Sequence, residues 1–251
     1  MTRRTLKSIR RFLQPKEIFQ LITSPNTWDY GITDRDYYVT RDRAFMAMAY
    51  CSAGRVSALV RGDRFQSYID EHGKRKVRKI GKYPGLLRRN VSVEEGFIRV
   101  SGMRVVKRSR KVIERYGESV TMRNDFVIPL KRGLFENPYW DQLVPFAYLV
   151  LDYLEKYAPE HGCLFPFGRV RAWQIINAAT GMWSHWFRAQ AEHFYGFFLL
   201  TDSVKLSELV KVTDPKSVKP YIGYDWREQL KDKQLGMDFK WIDRFLAEQK
   251  V

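Results

Sequence analysis

Apolar residues recur at helical spacing near the start of this chain, alternate through its middle, and return to helical spacing in the second half. The first helical pattern is PKEIFQLI, with Pro15 at a first-turn position and Glu17 beside it. A polar, aromatic connection from Ser24 to Tyr38 follows. The run RAFMAMAYCSA then predicts a helix that Thr40 or Asp42 caps and Gly54 ends. Arg55 stands between that helix and the next, RVSALV. From His72 the character changes. HGKRKVRKIGKYPG precedes two β-like runs, 96–106 and 120–130, in which Phe97-Ile98-Arg99-Val100 and Phe126-Val127-Ile128 alternate and Gly96, Gly102 and Gly117 supply turns.

After Asn137-Pro138 the pattern is helical again. YWDQLVPFAYLVLDYLEKYA predicts a central buried helix that Pro145 either kinks or begins. RVRAWQIINAAT is a helix closed by Gly181, and Ser184 is the expected cap of the helix after it. The tail FKWIDRFLAEQ carries one apolar stripe of Phe239, Ile242, Phe245 and Leu246. The expected fold class is mainly helical with a small antiparallel sheet near its middle, an α+β arrangement. The expected organisation is a basic arm over residues 1–14, a main domain over 15–226 and a tail over 227–251.

Charge adds a partner to this picture. The 251 residues are 45% hydrophobic, enough for a sizeable core, and 44 Lys and Arg against 28 Asp and Glu leave a net charge of +16. Such an excess points to a polyanion, with nucleic acid the first candidate. No run of 18 apolar residues and no signal-peptide core is present, so a membrane partner is not expected and the cytoplasm is the expected location. Most of the excess lies between Lys74 and Lys111, where 14 Lys and Arg face only Glu94 and Glu95, a net of +12. Candidate phosphate-contacting residues there are Lys74, Arg75, Lys76, Arg78 and Lys79, then Arg108, Arg110 and Lys111. Cys51 and Cys163 lie in apolar segments without metal-ligand spacing, so reduced core thiols are expected, with neither disulfide nor zinc.

Candidate chemistry concentrates between Ser184 and Trp226. His185 and Arg188, three residues apart, share one helix face near its positive end, which makes an anion site. His193, two turns further on amid Phe194 and Tyr195, reads as a core residue.

Three separated pieces resemble a known family. Arg55 in AYCSAGRVSAL, His185-Trp186-Phe187-Arg188, and Tyr221 in PKSVKPYIGY, 33 residues beyond that arginine, are similar to the arginine box, the H-x-x-R box and the nucleophile segment of tyrosine recombinases, the phage-integrase and Xer-type family, archaeal or viral members especially. The resemblance covers about residues 12–228. It implies cleavage of duplex DNA through a 3′-phosphotyrosine, with no cofactor and no metal, in assemblies that are tetramers on two DNA sites. Under it Tyr221 is the nucleophile, with Tyr224 as competitor, and Arg55 and Arg188 clamp the non-bridging oxygens. His185 donates to the phosphate or takes the tyrosine's proton, and a hairpin lysine, Lys107 with Lys111 as runner-up, protonates the leaving 5′-oxygen.

The chain departs from that family at two positions. Val212 stands where a His or Trp is usual, and Ala58 replaces the acidic residue of the arginine box, so either the chemistry is slower or other residues, such as Lys211 or Thr213, take over. A helical core-binding domain typical of the family has no counterpart in the dozen residues before the main domain. Two rivals follow: a DNA-binding protein that kept the fold without the chemistry, and a nicking-closing enzyme of the type IB topoisomerase kind. The tail helix is expected to swap between subunits.

Overall fold

A computed structural model describes residues 12–24, 34–107, 113, 117, 120–199 and 237–249. Helix α1 (Pro15–Thr23) begins where the sequence predicts, and the Gln14 amide donates to the Glu17 carboxylate at 2.9 Å as half of a capping box. Helix α2 (Arg35–Cys51) starts earlier than expected, with Asp34 at the N-cap. Thr40 and Asp42 are therefore interior residues rather than caps. Asp42 is fully buried and binds Arg41 at 2.7 Å, and the Arg41 guanidinium lies over the rings of Tyr38 and Phe167, both at 4.8 Å. A buried charge persists only when paired in this way. From Ala44 to Cys51 every side chain of α2 is buried, so this helix is the axis of the core.

The stretch RVSALV makes only one helical turn, α3 (Val56–Leu59), before Val60 enters a strand. That strand, β1 (Val60–Ile69), pairs antiparallel with β2 (Arg75–Tyr83) in a hairpin that the charge-rich sequence obscured. The remaining strands are β3 (Val91–Glu94), β4 (Phe97–Lys107), β5 (Val120–Pro129) and β6 (Phe165–Gly168). They form two three-stranded sheets instead of one: antiparallel β3-β4-β5, and β2-β1-β6, in which β6 runs parallel to the start of β1. Apolar alternation predicted β4 and β5 because Ile98, Val100 and Ile128 face the core, whereas β2 buries no side chain before Tyr83 and has no such pattern.

Pro145 marks a first turn. A 3₁₀ segment (Pro138–Leu143) leads into α4 (Val144–Lys156), which packs along α2. Helix α5 (Arg169–Thr180) closes on Gly181 in the left-handed region, φ 66°, as expected. Helix α6 (Trp186–Phe194) continues into one π turn (Tyr195–Leu199). The tail helix, α7 (Lys240–Glu248), packs on its own chain: Trp241 is buried, its indole donates to Gln142 at 2.8 Å, and Phe19 meets the rings of Trp241 and Phe245. Cys51 is a core thiol, but Cys163 is only half-buried and accepts from the Arg61 guanidinium at 3.4 Å. The α+β class holds. Among the described residues no helix is long and apolar enough to cross a membrane.

One glycine locks the sheets to the helices. A Cβ on Gly85 would lie 2.6 Å from the Val60 carbonyl carbon, and its φ is +78°. The Leu86 amide beside it donates to Leu59 at 3.1 Å. Gly85→Ala is expected to lower unfolding free energy by roughly 2–4 kcal/mol, from left-handed strain plus displaced backbone. Chemical denaturation checks this, and an unchanged midpoint would show that the loop relaxes freely.

Candidate active site

A strained turn aims Arg55. Helix α2 ends at Cys51, and Ala53, with φ 46°, is the one non-glycine residue with positive φ among the described residues. The Gly54 amide donates to the Ser52 hydroxyl at 3.0 Å. A Cβ on Gly54 would sit 2.7 Å from that oxygen and 3.4 Å from the Met103 methyl of β4. Arg55 follows in extended conformation as the N-cap residue of α3, and its side chain is half-buried.

Helix α6 brings the other half. His185 itself occupies the N-cap position, one residue later than the Ser184 expected there. Arg188 is then at the third helical position, one turn along the same face. Its Nε is 2.7 Å from Oε1 of Glu192, the next residue on that face, with side-chain exposures of 11% and 4%. The Tyr195 hydroxyl donates to the Cys51 carbonyl within the core, which ties α6 to the root of the Arg55 turn.

These groups share one electrostatic environment. Burial lowers the Arg55 pKa, the Arg188 charge lowers it further, and Glu192 opposes both. Arginine stays cationic nonetheless. Burial, followed by the charges of Arg188, Arg169 and Arg55, drops the His185 pKa to about 4. Its imidazole is neutral at pH 7, and its Nδ1 is buried with no hydrogen-bond partner among the described residues. The arrangement is a desolvated cationic recess with one unsatisfied imidazole nitrogen, a setting made to receive an anion. His193 is a core residue as expected, packed against Phe12, with burial lowering its pKa.

Two members of this recess escaped the sequence reading. Glu192 is at i+4 from Arg188, a spacing that signals an ion pair, although its burial was not visible. Arg169 opens α5, where a cation opposes the helix dipole, and that unfavourable placement was its only signal. Ala58, the missing acid of the arginine box, is fully buried in the apolar core.

Lys107 ends β4, with its backbone paired to Val120 of β5. Tyr221, Arg108, Arg110 and Lys111 lie outside the described residues, as do Tyr224, Lys211, Val212 and Thr213. Lys74 is exposed in the β1–β2 turn, and Arg75, Lys76, Arg78 and Lys79 are exposed along β2. Lys76 pairs with Asp70 at 2.9 Å, Lys79 with Asp63 at 2.7 Å, and Arg78 lies 5.3 Å from the Tyr68 ring. The Ser67 amide and hydroxyl both donate to the Gly117 carbonyl, at 2.8 and 3.0 Å. That contact rests Gly117, in the β4–β5 connection, on the edge of β1. Among the described residues no group of three His, Cys, Asp or Glu could hold a metal ion.

Two outcomes are expected. Glu192→Gln leaves two desolvated guanidiniums without their carboxylate and is expected to destabilise the fold by about 3 kcal/mol in denaturant unfolding; a loss under 0.5 kcal/mol would mean that water already screens the pair. His185 binds its proton less tightly when folded than the usual 6.5, so the unfolded chain takes up more protons between pH 6.5 and 4. Its contribution to stability is complete above pH 6.5 and is lost as pH falls towards 4, by roughly 2–3 kcal/mol at pH 4. Comparing unfolding of the parent and His185→Asn from pH 7 to 4 isolates this slope, and parallel curves would refute it.

Among known proteins, no family model and no curated protein matches the chain. Solved structures with a similar course include the XerH site-specific recombinase bound to difH substrate in a pre-cleavage complex, at 10% identity and a TM-score of 0.45, covering 89% of this chain and 52% of that one. Another is the same recombinase bound to palindromic difH substrate in a post-cleavage complex, at 8% identity and a TM-score of 0.47, covering 94% of this chain and 56% of that one. The chain spans about half the length of each.

Proposed function

We propose that this chain is a site-specific DNA recombinase or integrase that cuts and rejoins strands through a covalent 3′-phosphotyrosine. The observation that carries the reading is the convergence of Arg55 with His185 and Arg188, from opposite halves of the sequence, in one desolvated cationic recess. A segment bearing most of the chain's excess charge, with Lys74, Arg75, Lys76, Arg78 and Lys79 exposed, supports duplex DNA as the substrate.

In the proposed reaction the Tyr221 phenol oxygen attacks the scissile phosphorus and the bond to the 5′-oxygen breaks. The phenol proton leaves to water or to a neighbouring base, and Lys107 gives a proton to the departing 5′-oxygen. No redox change occurs and no cofactor is consumed. The phosphate ester bond is conserved in the tyrosine link, which a second strand's 5′-hydroxyl reverses. Arg55 and Arg188 neutralise charge growing on the non-bridging oxygens, and Glu192 holds the Arg188 fork in place. Neutral His185 acts as a hydrogen-bond donor to one of those oxygens. Glu192 also answers the missing acid at position 58, since it supplies a buried carboxylate to the same arginines. Assembly as a tetramer on two DNA sites, with α7 exchanged between subunits, is part of this proposal.

A nicked suicide duplex, from which the short 5′-hydroxyl fragment diffuses away, tests it on denaturing gels. The parent chain is expected to form a covalent adduct that Tyr221→Phe abolishes and Tyr224→Phe retains. Arg188→Ala is expected to slow it about 10²–10³-fold. Lys107→Ala is expected to slow it about 10²-fold or more on ordinary DNA and much less on DNA with a 5′-bridging sulfur, whose thiolate leaves without a proton. Absence of any adduct on every substrate would leave only the non-catalytic DNA-binding reading.

A further inference from the structure

The β1–β2 ribbon has two unlike faces. Residues paired across an antiparallel ladder share a face, and neighbours along a strand alternate. The register pairs Gln66 with Arg78 and Tyr68 with Lys76 on one face, and Phe65 with Lys79 and Ser67 with Val77 on the other. Exposure along β1 follows the same alternation: Arg64, Gln66 and Tyr68 are exposed, whereas Phe65 and Ser67 are half-buried. The second face is the inner one, since Ser67 is held by Gly117 of the β4–β5 connection.

The charges segregate with the faces. On the inner side Lys79 is neutralised by Asp63, and at the ribbon's tip Lys76 is neutralised by Asp70. On the outer face Arg64 and Arg78 have no acidic partner, and the Gln66 amide has no hydrogen-bond partner, among the described residues. The Arg78 guanidinium instead lies over the Tyr68 ring at 5.3 Å. A lone two-stranded ribbon with no core of its own is marginal in water. Here ten residues of β1 extend about 33 Å with strands roughly 5 Å apart, dimensions that suit a major groove about 12 Å wide and not a minor groove of about 6 Å.

We infer that the outer face of this ribbon enters the major groove of duplex DNA, with Gln66 and Arg78 as the pair that reads base edges. The inference rests on the duplex-DNA reading above. Arg78 presents a planar fork to guanine O6 and N7, and Gln66 an amide to adenine N6 and N7. Their backbones stand opposite each other about 5 Å apart, so the two side chains reach neighbouring base pairs. Arg64 and Lys74 flank them towards the phosphates. Specificity then resides outside the anion recess, in a hairpin joined to Arg55 through the single turn of α3.

Selection of the full chain on a randomised 25-base-pair duplex pool, followed by sequencing, tests this. The parent is expected to enrich a motif with a guanine beside an adenine. Arg78→Ala is expected to lose about tenfold preference at the guanine and keep the adenine, and Gln66→Ala the reverse. Placing 7-deazaguanine in the motif is expected to weaken the parent and leave Arg78→Ala unaffected. Both side chains are exposed, so melting temperatures should not change. The inference is overturned if the parent binds duplex without base preference, or if both variants enrich the parent's motif. If the parent binds no duplex at all, the DNA reading itself fails and this one goes with it.

Discussion

A carboxylate almost cut off from water holds the candidate site together. Arg55 and Arg188 repel each other and each loses hydration in the recess, and Glu192 offsets this by an ion pair with Arg188 and by its field at Arg55. One negative charge for two guanidiniums leaves the recess positive, and Arg169 adds to it. Burial, reinforced by that excess, keeps His185 neutral. The protein therefore holds an incomplete charge balance in a partly buried place, which is the arrangement that the proposed role of an anion site requires.

The fold is arranged to keep that imbalance rigid. Helix α2 is buried on every side over its last two turns, so its end cannot shift. From that fixed end the chain makes a strained turn through Ala53 and Gly54 and delivers Arg55 in extended conformation. The Tyr195 hydroxyl reaches back from the end of α6 to the last carbonyl of α2, so the helix carrying Arg188 and Glu192 registers against the same fixed point. Left-handed backbone at a residue other than glycine costs stability, and it persists here because packing on both sides leaves no alternative.

Charge placement outside the recess follows a second logic. The ribbon of β1 and β2 gains little from burial, and its two aspartates are taken by Lys76 and Lys79. What remains unpaired points away from the body. The docking of Gly117 on Ser67 ties this ribbon to the β4–β5 connection although 50 residues separate the contact in sequence.

Helices α1, α4 and α5 and strands β4 and β5 were legible in the sequence because each buries one face, and burial writes a period into the residue types. The ribbon was not, since both of its faces are solvated and no apolar alternation marks it. Arg55, His185 and Arg188 could be singled out by spacing and by resemblance, because guanidinium and imidazole chemistry depends on residue type. Their convergence, the depressed His185 pKa and the role of Glu192 depend on which surfaces lose water, and only the packing of α6 on α2 decided that. The sequence by itself determined the class of fold, the location of the excess charge and the residue types able to hold an anion. Tertiary structure decided which of those charges are desolvated together and which face outward, since desolvation is a property of neighbours distant along the chain.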